Sequence, residues 1–115
     1  MKKSENYIKL KGNLKNTSST VEILDNGSLS IEFYDYSEEA QNRFGNDVAY
    51  TIIIDPNNID KMLNLLENKI IKGNRPYKNR LILELIENRF SSYFELQEWL
   101  IENHIPFKKE FDGWA

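Results

Sequence analysis

The residues whose types and spacing could do chemistry are the carboxylates of Asp35-Tyr36-Ser37-Glu38-Glu39. Asp35 and Glu38 could share acid–base work, one carboxyl giving a proton while the other takes one. The alternation Asp35, Ser37, Glu39 also offers the oxygen donors of a calcium loop, but Ala40 and Asn46 stand where that loop needs glycine and glutamate. There is no cysteine, which removes thiolate nucleophiles, cysteine-ligated zinc, Fe–S clusters and disulfides. The single histidine, His104, falls at the end of an expected helix, where the helix dipole favours a cation, so a capping role is expected. The glycines (12, 27, 45, 73 and 113) are too scattered for a phosphate loop, a dinucleotide fingerprint or a nucleophile elbow. The expectation is a protein that is not an enzyme and uses no cofactor and no metal.

Binding is the remaining class, and charge is its first clue. The net charge of −3 conceals segregation. Residues 1–15 carry five lysines against Glu5, and residues 69–80 carry Lys69, Lys72, Arg75, Lys78 and Arg80 with no acid. Residues 32–47 carry Glu32, Asp35, Glu38, Glu39 and Asp47 against Arg43, and residues 84–102 carry five glutamates against Arg89. Such segregation steers association with a charged partner. The stretch 34–47 is acidic, aromatic and longer than a hairpin needs, which marks Tyr34, Asp35, Tyr36, Glu38, Glu39 and Asp47 as candidate contacts for a basic protein. The basic 69–80 segment, with Tyr77 among its charges, offers nucleic-acid binding as an alternative. A sequence pI near 5.2 and the lack of a reading motif weaken it.

The elements that must position these residues read as one α+β domain over 1–115. Residues 20–25 and 28–36 alternate apolar and polar around Asn26-Gly27, which predicts a hairpin with a type I′ turn. A third strand is expected at 48–54. Asp55-Pro56 then starts a helix that buries Ile59, Met62, Leu63, Leu66 and Ile70 and ends at Gly73. A second helix is expected over 77–90, with Leu81, Ile82, Leu85 and Ile86 inward. Ser92-Tyr93-Phe94-Glu95 reads as a capping box opening a third helix, which buries Phe94, Leu96, Trp99 and Leu100 and stops near Asn103. Short strands are expected at 7–10 and, on an edge, at 105–111. Strands first and helices after argue for an antiparallel sheet of three to five strands with three helices on one face. Thr20, Glu22, Ser28, Ser30, Glu32 and Tyr34 then form a polar row on the other face. The longest aliphatic run, Ile52-Ile53-Ile54, is too short to span a membrane, and the basic N-terminus lacks the apolar stretch of a signal peptide, so a cytoplasmic protein is expected.

Three stretches carry a resemblance. Gly27-Ser28-Leu29-Ser30-Ile31-Glu32-Phe33-Tyr34-Asp35, Phe44-Gly45-Asn46-Asp47-Val48-Ala49-Tyr50 and the tail Trp99-Leu100 to Ile105-Pro106-Phe107 and Trp114 resemble the immunity proteins of bacterial polymorphic-toxin systems, including contact-dependent growth inhibition. Ala49 departs from the pattern, which has an acid there. The resemblance implies an inhibitor that binds a cognate toxin, often a nuclease, and blocks its active site or substrate surface, as a monomer in a one-to-one complex.

Overall fold

Residues 24–28 decide how the first long strands meet. β2 (Thr17–Ile23) and β3 (Leu29–Asp35) pair antiparallel with Ile23 opposite Leu29. The turn between them is not type I′, because of its two expected left-handed residues only Gly27 has positive φ, at 88°. Gly27 N–H donates to the Leu24 carbonyl at 2.8 Å, and Leu24 N–H donates to that of Ser28 at 2.8 Å. This is a three-residue loop, a turn over Asp25-Asn26 followed by a left-handed glycine bulge. Asn26 contributes through its side chain instead, its Oδ1 accepting from Ser28 N–H at 3.0 Å.

Among the described residues the chain is an α+β structure, a five-stranded antiparallel sheet carrying three helices. The computed structural model describes residues 6–12, 16–36 and 47–114, with backbone alone at 47 and 112–114. β1 (Tyr7–Lys9), β4 (Asp47–Ile54) and β5 (Lys108–Trp114) complete a sheet of order β1-β2-β3-β4-β5. β5 is an edge strand as expected, but it begins three residues later than the expected 105.

Helix α1 (Pro56–Glu67) starts where Asp55-Pro56 predicts, although the Asp55 side chain makes no cap hydrogen bond. It ends at Asn68 rather than Gly73. Asn68 turns left-handed (φ 57°) and Asn64 holds the exit, its carbonyl accepting from Lys69 N–H and its Oδ1 from Ile71 N–H at 2.8 Å. Ile70, expected in the core, is therefore past the helix and 75% exposed. Helix α2 (Arg75–Arg89) is capped by Asn74, and helix α3 (Tyr93–Glu102) by Ser92, whose Oγ accepts from Glu95 N–H at 3.3 Å. Glu95 reaches back to Ser91 N–H at 3.0 Å, one residue earlier than a capping box uses. His104 closes α3 through its backbone. It is left-handed at φ 56° and donates to the Ile101 carbonyl, while Ile105 N–H donates to that of Leu100.

The helices cover one sheet face. Ile8, Val21, Ile31 and Ile52 form one row of that face across the sheet, and Ile23, Leu29 and Ile54 form another. Both rows meet Ile59, Met62 and Leu63 of α1, Ile82, Leu83 and Ile86 of α2, and Tyr93, Leu96 and Leu100 of α3. Asp60 pairs with Arg75 and Lys78 at 3.0 and 3.7 Å, and Glu67 with Arg89 at 3.5 Å. These pairs join the start of α1 to the start of α2 and end to end, so the two helices run in the same sense. One core assignment on α3 is corrected: Phe94, expected in the core, is 48% exposed, and its neighbour Tyr93 is fully buried instead. On α2, Leu83 is buried, while Leu81 and Leu85 are only half-buried; Trp99 of α3 is also half-buried.

β1 is anchored to the start of α3 at one close point. Gly12 N–H donates to the Ser91 carbonyl at 2.6 Å, and a Cβ on Gly12 would stand 2.6 Å from Ser91 Cβ and 2.9 Å from its carbonyl oxygen. Gly12→Ala is expected to cost about 1–3 kcal/mol by overpacking. Urea denaturation measures it, and an unchanged midpoint would show that the approach is not required.

Candidate protein-binding surface

Register separates the sequence-derived candidates. Tyr34 shares with Ser18 and Ala49 the sheet face away from α1, α2 and α3, and Tyr36 follows on the same side. Their rings lie 5.8 Å apart, centroid to centroid. Tyr36 is 44% exposed, and its N–H donates to the Asn16 carbonyl at 3.0 Å, extending the β2–β3 pairing by one residue. Asp35 alternates to the other side, in the row of Thr17 and Val48, so it is not grouped with the tyrosines. Glu38 and Glu39 lie outside the described residues, and Asp47 is placed by its backbone, opposite Trp114 of β5.

The rest of that face is polar and of mixed sign. Across the sheet run Tyr7, Glu22, Ser30, Ile53 and Lys108, and beside them Lys9, Thr20, Glu32, Thr51 and Glu110. Lys108 and Glu110 pair at 3.6 Å on β5. Ser28 and Ser30 of the expected polar row are buried, the others half-buried or exposed.

The basic 69–80 segment does not present five available charges. Arg75 and Lys78 are both turned onto Asp60, stitching α1 to α2. Lys69, Lys72 and Arg80 remain exposed. Among the described residues no group of three or more His, Cys, Asp or Glu is gathered closely enough to hold a metal, and no helix is long and apolar enough to cross a membrane.

Sequence reasoning missed an aromatic cluster on the helix side. Phe33 meets Phe94 at 4.7 Å, Tyr93 at 5.7 Å and Tyr50 at 6.2 Å, and Tyr50 meets Phe111 at 5.0 Å. Phe33, Tyr50 and Phe111 are one cross-strand row of β3, β4 and β5, which strand alternation alone could have revealed had β5 been placed in register. The buried Tyr93 hydroxyl has no hydrogen-bond partner among the described residues, and its pKa is pushed up to about 12, first by burial and then by Tyr50. Comparison with protein families, with curated proteins and with solved structures finds nothing similar to this chain.

Proposed function

We propose that this chain is an immunity protein, which binds a cognate bacterial toxin in the cytoplasm and covers the toxin's active site or substrate surface. The observation that carries the reading is the Tyr34–Tyr36 pair, set at one end of the sheet face away from α1, α2 and α3, where the chain enters the acidic stretch 37–46. Aromatic anchors beside a charged rim are the composition of a protein interface. The resemblance of residues 27–114 to polymorphic-toxin immunity proteins supports the same reading. The acidic stretch suits a basic toxin domain, a nuclease for example, in a one-to-one complex.

The test is genetic. The protein encoded immediately upstream is expected to arrest growth when expressed alone, and co-expression of this chain is expected to restore it; a harmless neighbour overturns the proposal. Within the complex, two kinds of variant separate. Tyr36→Ala removes packed area and is expected to speed dissociation, weakening binding by about 1–3 kcal/mol. Glu38→Lys with Glu39→Lys removes long-range attraction, so it is expected to slow association and flatten the salt dependence. Stopped-flow kinetics at two ionic strengths reads both, and unchanged rates in both variants would assign residues 34–39 to plain connection.

A further inference from the structure

Helix α3 breaks two local preferences. Its ten residues include Glu95, Glu98 and Glu102 and no lysine or arginine. Glu98 and Glu102 are one turn apart and repel, and Glu102 sits in the last turn, where the helix dipole disfavours an anion. Both side chains are exposed. On the flank between these acids and the core lie Phe94 and Ile101, seven residues apart and therefore nearly in line, 48% and 57% exposed.

That flank adjoins an aromatic row of the sheet that is only partly covered, Phe33 being buried and Tyr50 half-buried. α2 packs on β1 and β2, and α3 on β3. Phe94 rests on Phe33 of β3, and the same row continues to Tyr50 of β4 and Phe111 of β5, the last 50% exposed. The result is a shallow trough whose exposed apolar side chains are Phe94 and Ile101 on the α3 side and Phe111 on the β5 side, with Tyr50 half-buried and Phe33 buried between them. Lys109 of β5 reaches over the Tyr50 ring, its Nζ 5.5 Å from the ring centre, so the β5 side carries charge opposite to that of α3.

We propose that this trough seats a basic, partly apolar segment of a partner protein. Aromatic side chains of the segment's recipient supply area that is rigid and already half-desolvated, the chemistry of interface hot spots. Lysine or arginine on the segment would neutralise Glu98 and Glu102, which nothing on α3 itself does. Lys109 on the opposite rim repels the same cations, which fixes the segment's orientation, basic side toward α3. The identity of the partner as a toxin rests on the function proposed above, whereas the docking chemistry does not.

The probes are a short helical peptide of leucine and lysine and its counterpart with glutamate in place of lysine, read on the full chain by amide NMR. The lysine peptide is expected to shift residues 94–102 and 109–111 saturably. Glu98→Lys with Glu102→Lys is expected to weaken its binding roughly tenfold or more, and Phe94→Ala to weaken it without charge change. Shifts confined to other surfaces, equal response to the glutamate peptide, or self-association through the same amides without peptide would overturn the assignment. Growth rescue then separates the two proposals. Full rescue by the Glu98→Lys, Glu102→Lys and Phe94→Ala variants removes the trough and leaves the immunity function. A harmless neighbour, with the lysine peptide still bound in the trough, removes the function and leaves the docking surface.

Discussion

Replacing Leu96 with alanine is expected to cost the fold about 2–5 kcal/mol, whereas the same truncation two residues earlier, at Phe94, is expected to cost only about 1 kcal/mol. Leu96 is fully buried and belongs to the core cluster, so its removal takes away transfer free energy and leaves a cavity that the rigid sheet beneath cannot close. Phe94 is half-exposed and loses chiefly its ring contacts with Phe33 and Tyr93. A domain of this size has roughly 5–15 kcal/mol in total, so Leu96→Ala is expected to approach unfolding at body temperature. Urea midpoints for the two variants decide it. Equal losses would mean that Phe94 belongs to the core, and the trough would then be part of the fold rather than a surface.

The second large effect is at alkaline pH. Up to the ordinary tyrosine value near 10, the Tyr93 hydroxyl is neutral in folded and unfolded chains alike. Above that, the unfolded chain releases the proton while the folded chain holds it up to about 12. The folded state then binds more protons, so stability falls as pH rises through this window, by roughly 2–3 kcal/mol across it. Tyr93→Phe is expected to abolish that part of the loss. At neutral pH it is expected to be neutral or to stabilise by about 1 kcal/mol, because it deletes a buried hydroxyl with no partner among the described residues. Paired urea melts of the two proteins from neutral to strongly alkaline pH measure the difference. A neutral-pH loss of stability in Tyr93→Phe would show that the hydroxyl is bonded after all.

Signals confined to a few neighbouring residues were legible in the sequence. Asn26-Gly27 located the hairpin, Asp55-Pro56 the start of α1, and Ser92 with Glu95 the start of α3, because each depends on backbone groups at most a turn away. What the sequence could not supply was the competition between such signals. Gly73 and Asn68 can both end a helix, and Asn68 acts first because Asn64 is placed to hold the chain as it turns. Tyr93 and Phe94 are equally apolar neighbours. Tyr93 goes inward because β2 presents the small Ser19 there, whose Oγ accepts from Tyr93 N–H at 3.2 Å, a contact across 74 residues. The tyrosine pair at the end of β3 was legible from alternation. The trough was not, because it depends on where α3 sets Phe94 against Phe33 and where β5 sets Phe111 against Tyr50.

The strand order has a consequence for how the chain is made. β4 pairs with β3 directly, but its other neighbour, β5, follows only after all three helices. Lys108, the partner of Ile53, is 55 residues later in the chain (108 minus 53). At roughly 5–20 residues per second, a ribosome needs on the order of 3–10 s to bridge that gap, while hairpins form in microseconds. Through that interval Val48-Ala49-Tyr50-Thr51-Ile52-Ile53-Ile54, uncharged and rich in β-formers, lies on an open sheet edge, the type of segment that recruits other chains. β5 ends the exposure by pairing with it, and it brings Lys108, Lys109, Glu110 and Asp112 to the rim that remains. The last strand is thus also a shield, and the nascent chain is most prone to aggregate just before it arrives.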